Sequence, residues 1–172
     1  MEWLRNALGE SINLTVRQGD EVVYIERATT SRVIRVEQVI GGHAPLHVTA
    51  VGKLMLGELG EQACRDYARR TGLPAYTPNT RSDLDALMQD VNTSVRRGYA
   101  LDDEEAEPGV GCIGVLVRDS SGGVIAGLSV SAPIERRKDD WIPLMMEAGR
   151  RLSERLGYYQ NGGGEAAATG TN

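Results

Sequence analysis

Arg97-Gly-Tyr-Ala-Leu-Asp-Asp-Glu-Glu-Ala-Glu-Pro-Gly-Val-Gly-Cys112 is the stretch from which the fold is read. Gly98 closes an amphipathic helix, Tyr99 to Leu101 is strand-like, four acids follow, and a glycine-rich step leads into the apolar run Ile113 to Arg118. The turn Asp119-Ser-Ser-Gly-Gly123 then returns the chain as Val124 to Ser131, a hairpin by composition. Within that second strand Ser129 and Ser131 share one face by period-two alternation. An apolar sheet that presents a thiol and two hydroxyls on one side suits a small polar molecule. No catalytic engine accompanies it.

Working outward toward the N-terminus, Ser82 to Arg97 is the clearest amphipathic helix. Ser82 is its expected cap, and Leu84, Leu87, Met88, Val91 and Val95 form its expected buried stripe. Gln62 to Arg70 and Thr49 to Leu59 also read as helices, with Thr49 as N-cap of the latter. Ile12 to Val16 and Val22 to Ile25 form a hairpin around Gln18-Gly-Asp-Glu21, and Val33 to Val39 alternates as a third strand. Gly41-Gly-His-Ala-Pro45 then breaks the pattern. Trp3, Leu4, Ala7 and Leu8 fall at helical spacing up to Gly9. On the C-terminal side a last helix is expected from Asp139 or Asp140, with Pro143 in its first turn and Trp141, Leu144, Met145, Ala148, Leu152 and Leu156 inward. Residues 159–172 are rich in Gly, Ala and Thr and are expected to be a disordered tail. Hairpin, third strand, helices, hairpin and helix in that order predict an α+β domain, an antiparallel sheet with helices packed on it.

The 172 residues accommodate one such domain, and with no Phe and only 5% aromatic residues its core must be aliphatic. A net charge of −5 argues against this chain gripping a phosphate backbone by itself. Arg136-Arg-Lys138 is answered at once by Asp139-Asp140 and reads as a solvated loop. No signal peptide and no membrane-length apolar run is seen, so a cytoplasmic setting with Cys64 and Cys112 as free thiols is expected.

Three constellations could carry chemistry. The small-residue step Ala50-Val51-Gly52 into a helix leaves main-chain N–H groups open to an anion, although an ordinary capped helix would look the same. Asp102-Asp-Glu-Glu105 is either a solvated acidic run or, if extended, a strand with Asp102 and Glu104 opposite Asp103 and Glu105. Cys112, with His47 or His43 as base, would make a cysteine-dependent hydrolase, but nothing in the sequence lowers the thiol's pKa. His43 and His47 have i,i+4 spacing, yet Ala44-Pro45 between them and two glycines before them disfavour the helix a zinc pair would need. Hydrogen-bonded structural histidines are the preferred reading, and no catalytic residue, metal or cofactor is assigned. Gly109-Val-Gly111 precedes a strand rather than a helix and is no phosphate loop.

Taken in order, three pieces resemble the effector-binding domain of the IclR (isocitrate lyase regulator) family of bacterial transcription factors. They are Gly42-His-Ala-Pro-Leu-His-Val-Thr-Ala-Val-Gly-Lys53; Arg97 to Glu105 with Gly109-Val-Gly-Cys112; and Gly127-Leu-Ser-Val-Ser-Ala-Pro133 with Arg136. The resemblance implies a GAF/profilin-like antiparallel sheet of about six strands flanked by helices. It also implies a non-catalytic sensor for a small organic acid: hydroxy, oxo or aromatic. It further implies a homodimer or homotetramer that reaches DNA only through an N-terminal winged helix-turn-helix, which is missing here, and no membrane. Residues 1–9 resemble the end of the linking helix and 10–158 the sensing domain, so the chain reads as a regulator's sensing portion or a shortened form. By position, the resemblance assigns ligand binding to Ala50, Val51, Asp102, Cys112, Ser129 and Ser131, with Leu46, Met55, Val110 and Leu128 as expected apolar walls. Two departures stand out. Ala50-Val51 is bulkier than the glycine–alanine pair of some members, and Ala132 stands where Gly often precedes the proline. A ligand-free oligomerisation module is the remaining alternative.

Overall fold

In the computed structural model, which describes residues 1–159, the chain pairs its first and last hairpins side by side. β1 (Ser11–Gln18) and β2 (Glu21–Ala28) form the first hairpin, and β3 (His43–Pro45) adds a short edge strand to β2. α2 (Ala50–Leu59), α3 (Glu61–Thr71) and α4 (Leu84–Arg97) follow, then β4 (Ala100–Asp103), β5 (Val110–Arg118) and β6 (Val124–Pro133). α1 (Glu2–Leu8) precedes the sheet and α5 (Ile142–Arg155) closes the order. The six strands run β3-β2-β1-β6-β5-β4, with every neighbouring pair antiparallel. The α+β architecture expected from the element order is therefore present.

Alternation along the central strands builds two cores. Ile12, Ile113, Val115, Val117, Leu128 and Val130 face α1 and α5, where Leu4, Leu8, Met145 and Ala148 meet them. On the opposite face α2 lies against the sheet, and Val51, Met55 and Leu56 pack with Leu87 and Val91 of α4 and with Cys64 and Tyr67 of α3. Every residue of α2 from Ala50 to Leu56 is buried, which explains its weak amphipathic pattern: sheet and helices enclose it on all sides. Two glycines let it settle there. A Cβ on Gly114 would stand 2.8 Å from Val51 Cγ1 and 2.9 Å from Val51 N, and one on Gly127 would stand 2.6 Å from Val51 Cβ. The helix start thus lies against bare main chain of β5 and β6, closer than any side chain would permit.

Several local expectations are corrected. Residues 33–39 form no strand; β3 lies at His43–Pro45, inside the segment expected to break the pattern. The reason is that Gly41 N–H donates to Tyr24 O and Tyr24 N–H to Gly42 O, so the turn itself occupies that edge of β2. The preceding segment loops outward, held by Arg27–Glu37 and Arg35–Glu37 ion pairs, with Val33 94% exposed. The cap of α4 is Asp83 rather than Ser82: its carboxylate accepts from Ala86 N–H at 2.8 Å. Val95 and Leu156, assigned to buried stripes, lie at the ends of their helices and are 42% and 45% exposed. Asp139 and Asp140 belong to a 3-10 turn, and α5 begins at Ile142 with Pro143 in its first turn. The tail expected over 159–172 lies, from residue 160, outside the described residues.

Candidate functional site

Where the start of α2 meets the face of β4, β5 and β6, the packing leaves a cavity of about 170 Å³. Thr49 caps the helix by accepting from Gly52 N–H at 3.2 Å, and Lys53 N–H closes the first turn on Thr49 O. Among the described residues the amides of Ala50 and Val51 have no acceptor, and both residues line the cavity. Their open N–H groups and the helix dipole make this wall attractive to an acceptor or an anion.

The sheet supplies the facing groups. Ser131 pairs with Cys112, and Cys112 with Asp102, so three adjacent strands bring a hydroxyl, a thiol and a carboxyl into one row. Ser129 lies two residues along the same face. Asn13 Nδ2 donates to Ser131 Oγ at 3.1 Å, and Cys112 Sγ lies 3.2 Å from the same oxygen. The Ser129 hydroxyl has no partner among the described residues and lines the cavity. Burial pushes the Asp102 carboxyl up to about 7, against the lowering pull of Glu105 N–H, which donates to Asp102 Oδ1 at 2.8 Å. Burial, with the Asp102 charge beside it, drives the Cys112 thiol well above its ordinary value. A thiol so held is not a nucleophile at neutral pH, and no histidine reaches it. His47 is fully buried elsewhere: its Nε2–H donates to Pro74 O at 3.0 Å and its Nδ1 accepts from Tyr67 Oη at 2.7 Å. His43 is exposed and faces Glu21. The two rings therefore do not form a metal pair.

All six residues assigned to ligand binding, Ala50, Val51, Asp102, Cys112, Ser129 and Ser131, line this one cavity, and so does Val110. Leu46, Met55 and Leu128 do not. Leu46 and Met55 belong to the core beneath α2, and Leu128 points through the sheet to the α5 side, because it alternates with Ser129. Sequence reasoning missed Tyr24, Gln38, Ala44, Ala106 and Glu107. Tyr24 was findable, since it pairs with Thr15 on the face that carries Asn13 and Ser129. Nothing local marked the others.

The acidic run does not alternate. Glu104 adopts φ +59°, so the strand ends at Asp103 and it is Asp102 and Glu105 that are buried. Glu105 Oε1 and Asp90 Oδ2 both lie 2.7 Å from Nζ of Lys53, a lysine with no exposed surface. Thr80 Oγ1 donates to Glu105 O at 2.7 Å and ties the loop before α4 to the same corner. Lys53, one turn inside α2, thereby fixes the helix to the strand end that carries Asp102.

The model of the family described as bacterial transcriptional regulator IclR C-terminal matches residues 1–157. The HTH-type transcriptional repressor AllR of Escherichia coli (strain K12) is 32% identical over 153 residues, which cover 87% of this chain and 56% of the repressor. The chain thus spans little more than half the length of the curated relatives it matches. The crystal structure of the transcriptional regulator YaiJ is similar at a TM-score of 0.84 and 29% identity, over 91% of this chain and 90% of that one. An IclR homologue from Microbacterium hydrocarbonoxydans, solved with 4-hydroxybenzoate, gives a TM-score of 0.83 at 25% identity, over 91% of this chain and 64% of that one. These relatives are regulators, not enzymes.

Proposed function

This chain belongs to the IclR C-terminal family of bacterial transcriptional regulators, and from that membership we propose that its cavity binds a small organic acid as effector. The acid's carboxylate accepts from the N–H groups of Ala50 and Val51 and from the hydroxyls of Ser129 and Ser131. The observation that carries this reading is the pair of unpartnered amides at a capped helix start, opening on a cavity whose far wall bears a free hydroxyl. The neighbour solved with 4-hydroxybenzoate supports the same chemical class.

Asp102 refines the class. A charged carboxyl beside a bound carboxylate would repel it, so the ligand either brings a hydroxyl donor to Asp102 or binds while Asp102 holds its proton. A carboxyl poised near 7 is suited to both. Hydroxy acids, hydrated oxo acids and hydroxylated aromatic acids are therefore favoured over plain fatty acids, with Cys112 as polarisable floor. In a complete regulator, occupancy would favour one arrangement of a homodimer or homotetramer and so the spacing of N-terminal DNA-binding heads. No helix among the described residues is long and apolar enough to cross a membrane.

Isothermal calorimetry with matched acids tests the reading. Hydroxylated carboxylates should bind at least tenfold tighter than their alkyl counterparts, and Asp102→Asn should reduce that ratio. Equal binding of both series to wild type and variant would remove Asp102 from the site.

A further inference from the structure

The charges around the cavity are one-sided. Asp102 forms part of its wall and Glu107, an exposed residue, its mouth, while among the described residues no lysine, arginine or histidine lines it. The cations behind the wall are already committed: Lys53 to Asp90 and Glu105, Arg137 to Asp103. The positive end of α2, with the Ser129 and Ser131 hydroxyls opposite it, is thus what the site offers an anion, and the reach of the helix field is confined to the first helical turn.

We propose that Glu107 is a specificity-determining residue that limits this site to effectors carrying a single negative charge, an inference that rests on the organic-acid reading above. One carboxylate of the ligand occupies the Ala50 and Val51 amides. A second, on the far end of the same molecule, meets Glu107 at the mouth without a counter-charge. A neutral amide or hydroxyl at that end instead donates to the Glu107 carboxylate. The accepted class is a monocarboxylic acid with a hydrogen-bond donor at its opposite end, and dicarboxylates are rejected. Because the mouth is open to solvent, the rejection weakens as salt screens it.

The test uses acid and amide pairs of nearly identical shape: terephthalate against 4-carbamoylbenzoate, and malate against malamate. Calorimetry on wild type, Glu107→Gln and Glu107→Lys reads the ratio of affinities within each pair. Wild type should prefer the amide about tenfold or more, Glu107→Gln should shrink that preference several-fold, and Glu107→Lys should reverse it toward the diacid. Glu107 is exposed, so neither substitution disturbs the core, and thermal melts should show unchanged folding. A wild-type ratio near one that neither substitution moves would overturn this inference and leave the organic-acid reading standing. Failure of every carboxylate in the panel to bind would overturn both.

Discussion

Val51 rests on Gly127 so closely that a Cβ built on the glycine would stand 2.6 Å from the valine's own. This contact seats the start of α2, which lines the cavity, against the sheet. It presses the open amides of α2 onto the sheet beside Ser129, and Gly114 on the next strand widens the same notch.

Gly127→Ala should therefore act on stability and binding together. The added methyl meets Val51 Cβ and Thr15 Oγ1, so α2 must lift. Overpacking of this kind costs about 1–3 kcal/mol. Urea unfolding should show the loss, and calorimetry should show effector affinity falling with it.

The two serines should separate. Ser131 Oγ accepts from buried Asn13, whose Oδ1 already lacks a partner, so Ser131→Ala leaves a second polar atom of Asn13 unpaired. A loss of about 1–3 kcal/mol is expected in denaturant titration. Ser129 bonds no protein group among the described residues. Ser129→Ala should leave stability within about 0.5 kcal/mol while weakening carboxylate binding about tenfold.

Lys53→Met removes the cation between Asp90 and Glu105 and leaves Glu105, 1% exposed, as an uncompensated buried acid. The cost should be about 3–5 kcal/mol. Adding Glu105→Gln should recover a good part of it, since burial already pushes that carboxyl upward and a neutral amide avoids the penalty. Chemical denaturation of both variants measures the recovery.

Asp102 should make stability depend on pH. Its folded pKa, near 7, lies above the ordinary 3.8, so folding takes up a proton between these values. Stability contributed by this group is present below about pH 4 and is lost as pH rises through 7, by at most about 4 kcal/mol. Asp102→Asn keeps the acceptor for Glu105 N–H and removes the titration. The variant should gain on wild type in thermal melts between pH 5 and pH 8. Tyr24 and Cys112, which also line the cavity, are pushed upward by burial and stay neutral over this range. Carboxylate affinity of the wild type should fall across pH 7, and that of Asp102→Asn should fall less.

Most of the architecture was legible because local chemistry decided it. Thr49 caps α2, Gly98 ends α4 in the left-handed region, and the turn at Asp119 to Gly123 joins β5 to β6 as their residues require. The pattern misled where it had to know its neighbours. Residues 33–39 alternate as a strand does, yet their place on β2 was taken by the Gly41-Gly42 turn. Asp102 to Glu105 would alternate too, had Glu104 not turned left-handed and sent Glu105 inward to Lys53.

The sequence by itself determined the helices and the two hairpins, which face of β6 carries its serines, and through its family resemblance which six residues meet. Those properties are local or inherited: periodicity, caps and turns act over a few residues, and matched motifs carry their positions with them. Only the tertiary structure decided that Glu107 lines the same cavity, that Glu105 turns inward to Lys53, and that Asp102 lies dry enough to hold a proton near neutrality. Burial and field at a point are sums over groups distant along the chain, and no short stretch of sequence contains them.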